Sequence, residues 1–467
     1  MFEIVKKIKN FLTKRNIIII LIIITLISGG VFFYSSFKSD KKRFAISSLS
    51  ALSKIAQLLP IKEDYKKELQ VVDELVQEFT KRDNVEKRFL ILLQNSMELR
   101  PGGGFLGQYA IIKMKNGEVT SSFVEDANLL DERITARITP PYPFKRLLQI
   151  KKWEFRDSNF SPDFPTNAEK AKYFLRLSGR SSDFDGVIAI NTDVLNNALK
   201  VTGPIKVPGY STTFTSSDAV LKLESIVEKQ YLENSNLDTR NRKAILKKMT
   251  DVIINKLFKI NNIPKIAKFT HDEMRNKDIM LNFKDPKLQG LVESVHWDGS
   301  VAEGWGGDYL MAVDANMGAL KTNYYMHYDI SYDLDLTQER PVATVNILYK
   351  HTATHGDWHT SDYHSYLRLY VPKGSELLER KMVGWPITRE EFGKTYFGVK
   401  VDVLIGRQTN AMIKYQLPAG FNKEDYKLLI QKQSGMGDVP VRVHIKTSEK
   451  EYEYRDTLIK DLKFELK

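Results

Sequence analysis

The chain has 467 residues, 42% hydrophobic and 11% aromatic, and no cysteine. That length predicts two or three domains with real cores, and the missing cysteine excludes disulfides, thiolate metal sites and a cysteine nucleophile. The net charge of +12 is concentrated near the start, where residues 1–43 hold nine Lys and Arg against Glu3 and Asp40; such an excess beside an apolar stretch suits anionic lipid and leaves no basic stripe for nucleic acid.

Residues 1–15 read as a short basic cytoplasmic head. Residues 16–37 read as a transmembrane anchor, because 17–34 carry no charge and about 20 helical residues cross ~30 Å of hydrocarbon. The stretch is longer than a cleavable signal core of ~7–15 residues and lacks an A-x-A-like site. A single-pass cell-membrane protein follows, N-terminus inside and bulk extracytoplasmic, with basic residues before the helix favouring that orientation.

Residues 38–86 predict a helical stalk, broken at Pro60, with Tyr65, Leu69, Val72, Val76 and Phe79 on one face of its second helix. Residues 87–265 predict a mixed, layered α/β domain. Its strands are expected at 88–94, 107–115 and 186–190, and its helices at 167–178, 192–201, 216–230 and 238–260. The turn Lys115-Asn116-Gly117-Glu118 is a hairpin signal. Residues 266–308 read as a connecting region. Residues 309–467 predict an all-β immunoglobulin-like sandwich, from β-rich runs at 342–348, 366–371, 396–403, 411–417, 426–433 and 439–446 separated by turn residues.

Four segments could carry chemistry. In the run Asn95 to Phe105, Arg100 could donate to phosphate, and Gly102, Gly103 and Gly104 let backbone N–H groups approach an anion. On a Gly-rich run alone, a tight turn with Arg100 salt-bridged is the better reading. In the run Arg156 to Pro165, Asp157 could hold Mg²⁺ or simply belong to Asx-turns and helix caps. Asp238, Arg240, Arg242 and Lys243 open a long helix with positive charge that a bound anion would explain. His351, His355 and His359 have zinc-like spacing if helical, with Asp362 and His364 beyond; the flanking strands favour a polar hairpin loop.

The run Leu93 to Gly107, with Arg156–Pro165, Asp185–Ile190, Thr202-Gly203-Pro204, 309–321 and 366–374, resembles the DUF 4012 family of bacterial proteins of unknown function. A more distant resemblance is to the LytR-CpsA-Psr family, membrane-anchored enzymes that move glycopolymers from polyprenyl diphosphate carriers onto peptidoglycan. That resemblance implies diphosphate binding by Arg100, Arg240 and Arg242, with Asp126 and Asp157 as catalytic carboxylates or Mg²⁺ ligands. The chain departs from that family's pattern in having Pro101-Gly102 after Arg100, Glu125 where an arginine belongs, and altered arginine spacing in the late helix. Two functions are therefore expected: binding or transfer of a polyprenyl-diphosphate glycan to the cell wall, or non-catalytic envelope or surface recognition by the sandwich.

Overall fold

The computed structural model describes residues 54, 62–229, 244–257, 263–318 and 320–466. The expected anchor at 16–37 lies outside them, and no helix among the described residues is long and apolar enough to cross a membrane.

In chain order the first part contains α1 (Glu63–Thr80), β1 (Glu86–Asn95), β2 (Phe105–Lys115), β3 (Glu118–Asp126), α2 (Ala127–Asp131), α3 (Tyr142–Leu147), α4 (Phe164–Leu177), β4 (Gly186–Asn191), α5 (Asp193–Thr202), β5 (Ile205–Lys206), β6 (Thr213–Phe214), α6 (Ala219–Glu224), α7 (Ala244–Leu257), α8 (Ile263–Arg275), β7 (Ile279–Phe283) and α9 (Pro286–Glu293). Five strands form one sheet in the order β3-β2-β1-β4-β7. Only β1 and β4 run parallel in it.

Side chains alternate across a strand, so β1 feeds two cores. Leu90 and Leu92 pack with Tyr109, Phe155, Phe164 and Phe174 on one face. Phe89 and Ile91 pack with Val71, Val72, Leu75 and Trp297 on the other. A sheet covered on both sides reads as nearly continuous apolar sequence, which is why Arg88–Leu93 is legible as a strand. The stalk helix α1 is thereby part of this unit, laid on the sheet by its apolar stripe. Strand β7 falls in the stretch read from sequence as a connector; it extends the α/β unit beyond residue 265.

The β2–β3 hairpin turns through Asn116 and Gly117, at φ 53° and 78°, the two left-handed positions of a type I′ turn. A Cβ on Gly117 would also meet Thr80 Cα at 3.1 Å. Gly117→Ala is expected to cost about 1–2 kcal/mol, read as a lower denaturant midpoint.

The second part is β throughout: β8 (Asp308–Asn316), β9 (Met326–Asp335), β10 (Val342–His351), β11 (Tyr363–Pro372), β12 (Glu376–Lys381), β13 (Gly384–Glu391), β14 (Lys394–Val403), β15 (Gln408–Gln416), β16 (Lys427–Ile430), β17 (Val439–Lys446), β18 (Glu451–Leu458) and β19 (Leu462–Glu465). They make two six-stranded sheets, β12-β15-β10-β9-β17-β18 and β13-β14-β11-β8-β16-β19. Tyr332, Val345 and Ile413 of the first share a core with Leu367, Val399 and Leu428 of the second, so the sheets face each other as a sandwich. The parallel pairs β8–β16 and β9–β17, with the strand number, set it apart from the seven or nine strands of an immunoglobulin domain.

Candidate functional site

The Gly-rich signature forms the tight turn between β1 and β2. Phe105 N donates to Glu98 O at 2.8 Å and Gly103 N to Arg100 O at 2.9 Å. The turn is driven into the sandwich: Leu99 belongs to the sandwich core, and its N–H donates to Asn323 Oδ1 at 3.0 Å. Arg100 is 2% exposed. Its guanidinium donates to Glu98 at 2.8 Å, to Asn316 O at 2.8 Å and to Asp157 at 3.4 Å. Gln433 reaches from beyond β16 and donates to Arg100 O and Asp314 O at 3.0 and 2.8 Å.

The glycines allow this closeness. A Cβ on Gly102 would strike Asn159 and Asn167, one on Gly104 the backbone of Asn95, and one on Gly103, at φ 129°, Gln94 and Asn191. Gly102 N already donates to Asn159 O at 3.0 Å. This turn is a closed interdomain joint, and its donors face protein groups where an anion cradle would leave them open.

The other expected site residues separate. Arg100 and Asp157 meet, but each satisfies the other inside the joint. A magnesium ion on Asp157 would sit against the Arg100 guanidinium, and that like-charge contact does not fit a metal ligand. Asp126 caps α2, accepting from Asn128 N at 3.0 Å. Arg240 and Arg242 lie outside the described residues. Glu125 collects Arg133 and Arg180 at 2.7 and 3.0 Å and Tyr109 at 2.5 Å. Asp163 caps α4 through Thr166 N at 3.0 Å. The histidines lie in or beside the β10–β11 connection. His351 bonds Ser361 O at 2.9 Å and Ala353 N at 3.2 Å, while burial pushes His359 down to about 4. Among the described residues no three His, Asp or Glu gather as metal ligands.

At the carboxyl ends of the parallel strands β1 and β4, where open α/β sheets bind ligands, lies a crevice of about 490 Å³ lined by Ser96, Asp193, Asn323, Tyr324, His327 and Asp438. Ser96 Oγ bonds Thr192 Oγ1 at 2.6 Å and Asp193 Oδ2 at 3.2 Å, so its polar groups largely serve one another. In the same region Glu273 is 2% exposed. Burial, with Asp278 beside it, pushes its carboxyl up to about 8.

A different cleft is open and chemically unspent. It measures about 320 Å³ and runs between α3–α4 and the outer face of the sheet β13-β14-β11. Ring walls come from Tyr142, Trp153, Phe160, Tyr366 and Tyr396. Tyr366 lies so close over Gly398 that a Cβ there would overlap its ring. Arg368 donates to Glu391 at 3.0 Å and to Phe160 O at 2.7 Å, yet its Nε, like Ser158 Oγ, is buried without a hydrogen-bond partner. Orphaned buried donors are uncommon. Both residues line the cleft. So do Lys170, 4.7 Å from the Trp153 ring, and Arg389; neither pairs with a carboxylate among the described residues. Rings, hydroxyl-reaching donors and two uncompensated cations suit a ligand that is hydroxylated, ring-shaped and negatively charged. Sequence reasoning did not find this cleft, although Arg156–Pro165 and 366–374, which form two of its walls, stood out as motifs.

Residues 84–227 match the family described as protein of unknown function (DUF4012). No curated protein matches the chain. Among solved structures, the X-ray structure of Lin1025 protein from Listeria innocua is similar at 14% identity and a TM-score of 0.27, covering 46% of this chain and 80% of that one. The reading of the site therefore rests on its own chemistry.

Proposed function

We propose that this chain is a membrane-anchored, extracytoplasmic recognition protein that binds an acidic envelope glycan without transforming it. The observation that carries the reading is the cleft at Arg368 and Ser158, where buried unpartnered donors and aromatic faces meet uncompensated positive charge. Sugar rings present apolar C–H faces to aromatic side chains and hydroxyls to donors; a uronate or phosphate substituent would meet Lys170 and Arg389. Glycopolymer transfer draws less support: Arg100 and Asp157 are committed to the joint and Asp126 to a helix cap. No magnesium is required by the binding reading, and the partners are lipid, through residues 16–37, and cell-wall glycan.

The test is titration of the full chain in detergent micelles with galacturonic acid and, separately, galactose, followed by calorimetry and intrinsic tryptophan fluorescence. Saturable binding of the acid, little of the neutral sugar, and a loss of about tenfold or more in Arg389→Ala is the expected result. Arg389 is exposed, so folding is spared. Equal affinity for both sugars, or none for either, removes the reading.

A further inference from the structure

We infer that the cleft continues into a second subsite at Trp385, so that the ligand is an acidic polysaccharide chain and the protein reads at least two adjoining sugar residues. This rests on the glycan reading above.

Trp385 stands on β13, two residues before Ile387 and four before Arg389, both of which line the cleft. Its indole is not a core side chain: it is 44% exposed. The backbone there is held in an unusual state. Trp385 has φ 49°, a left-handed conformation that bulky residues rarely adopt, and it precedes Pro386, which biases a residue toward extended geometry. The β13–β14 register slips between Gly384 and Ile387, and bulges of this kind re-aim a side chain. Backbone strain that leaves a tryptophan facing water is a cost the core does not explain.

Two cations from separate elements meet that ring. Arg146 of α3 lies 4.9 Å from its centroid and Lys400 of β14 lies 5.3 Å away. Both place the indole on the cleft side of the sheet: α3 carries Tyr142, whose ring is 6.4 Å from Tyr366, and Lys400 lies on the same strand face as Tyr396. The site at Tyr366 and Arg368 and the one at Trp385 therefore share an aromatic ring beside positive charge, supplied at Trp385 chiefly by Arg146, since Lys400 is paired with Asp402 at 2.8 Å. That repetition is complementary to a repeating acidic sugar.

The experiment compares galacturonic acid with oligogalacturonides of increasing length on the full chain in micelles. Affinity is expected to rise about tenfold or more from monomer to oligomer. Trp385→Ala should erase that gain and leave monomer binding unchanged, while Trp385→Phe restores most of it. Monomer binding with no gain on lengthening, or a gain that survives Trp385→Ala, overturns the subsite alone. Failure of every acidic sugar overturns the parent reading with it. Phosphatidylglycerol vesicles form a further arm, since exposed Met382 beside Trp385 could also meet lipid; vesicle binding that depends on Trp385, without length-dependent sugar binding, overturns the subsite in favour of a lipid contact.

Discussion

Arg100→Ala is expected to lower the unfolding free energy by about 3–5 kcal/mol, the cost of breaking a buried ion pair by removing one partner. The side chain is enclosed by Glu98, Asp157 and the carbonyl of Asn316, with Phe105 and Phe144 rings 5.5 and 5.7 Å from its guanidinium carbon. Without it, two buried carboxylates face one another across the void. Burial already pushes Glu98 above the usual range even with the arginine present, so in the variant one carboxyl should take up a proton and the defect should shrink on acidification. Guanidinium unfolding at neutral and acidic pH measures both effects. Adding Glu98→Gln and Asp157→Asn to an Arg100→Met background should recover most of the loss, because a buried ion cluster can be replaced by neutral groups at little net cost. Were Arg100 a diphosphate ligand instead, its removal would spare stability and abolish anion binding.

Glu273→Gln is expected to stabilise the protein at alkaline pH, by roughly 5 kcal/mol on the linkage of ~1.4 kcal/mol per unit of displacement. The carboxyl titrates at about 8 in the fold, against about 4.3 in an unfolded chain. Between those values the folded state holds a proton that the unfolded state has released, so stability falls as pH rises through the interval and stays low above it. The burden is shared locally: Asp278 is raised to about 6 by burial, and Asp193 is raised by burial as well. Glutamine keeps an amide oxygen for Asn197, which already bonds the side chain, and removes the buried charge. Denaturant midpoints across pH 4–9 should show the variant's curve flattened, meeting the parent at the acid end. A parallel pair of curves would mean that Glu273 is ionised throughout.

What could be read from the sequence was what is local. Asn116-Gly117 announces its hairpin because two left-handed residues are needed in a row, whereas the helix expected at 167–178 begins three residues earlier, at Phe164, with Asp163 as its cap. Val345–Leu348 and Val399–Val403 alternate cleanly, since one face of each is buried in the sandwich. Edge strands escaped notice: Glu376–Lys381 and Gly384–Glu391 bury almost nothing, and their sequences carry no period. Strand β7 was missed because Ile279-Met280-Leu281-Asn282-Phe283 is too short an apolar run to classify. The signature turn is the most instructive case. Arg-Pro-Gly-Gly-Gly looks like an anion loop when its surroundings are unknown, whereas its partners Asp157, Asn316 and Gln433 come from 57, 216 and 333 residues away. The aromatic cleft is non-local in the same way, with walls from α3, α4 and three strands of the sandwich.

That separation also orders events during synthesis. Gln433 leaves the ribosome 333 residues after Arg100, on the order of tens of seconds later at ~5–20 residues per second. Until then the β1–β2 turn lacks the partner that closes it over Arg100 O and Asp314 O, even though much of the core that receives Leu99 is already made. Asn316 and Gln433 lie beyond the 84–227 match, so the segment that looks most like a portable module cannot close its own joint. Chains halted within the sandwich should be captured by chaperones or proteases, making the last strands a checkpoint for the whole molecule's release.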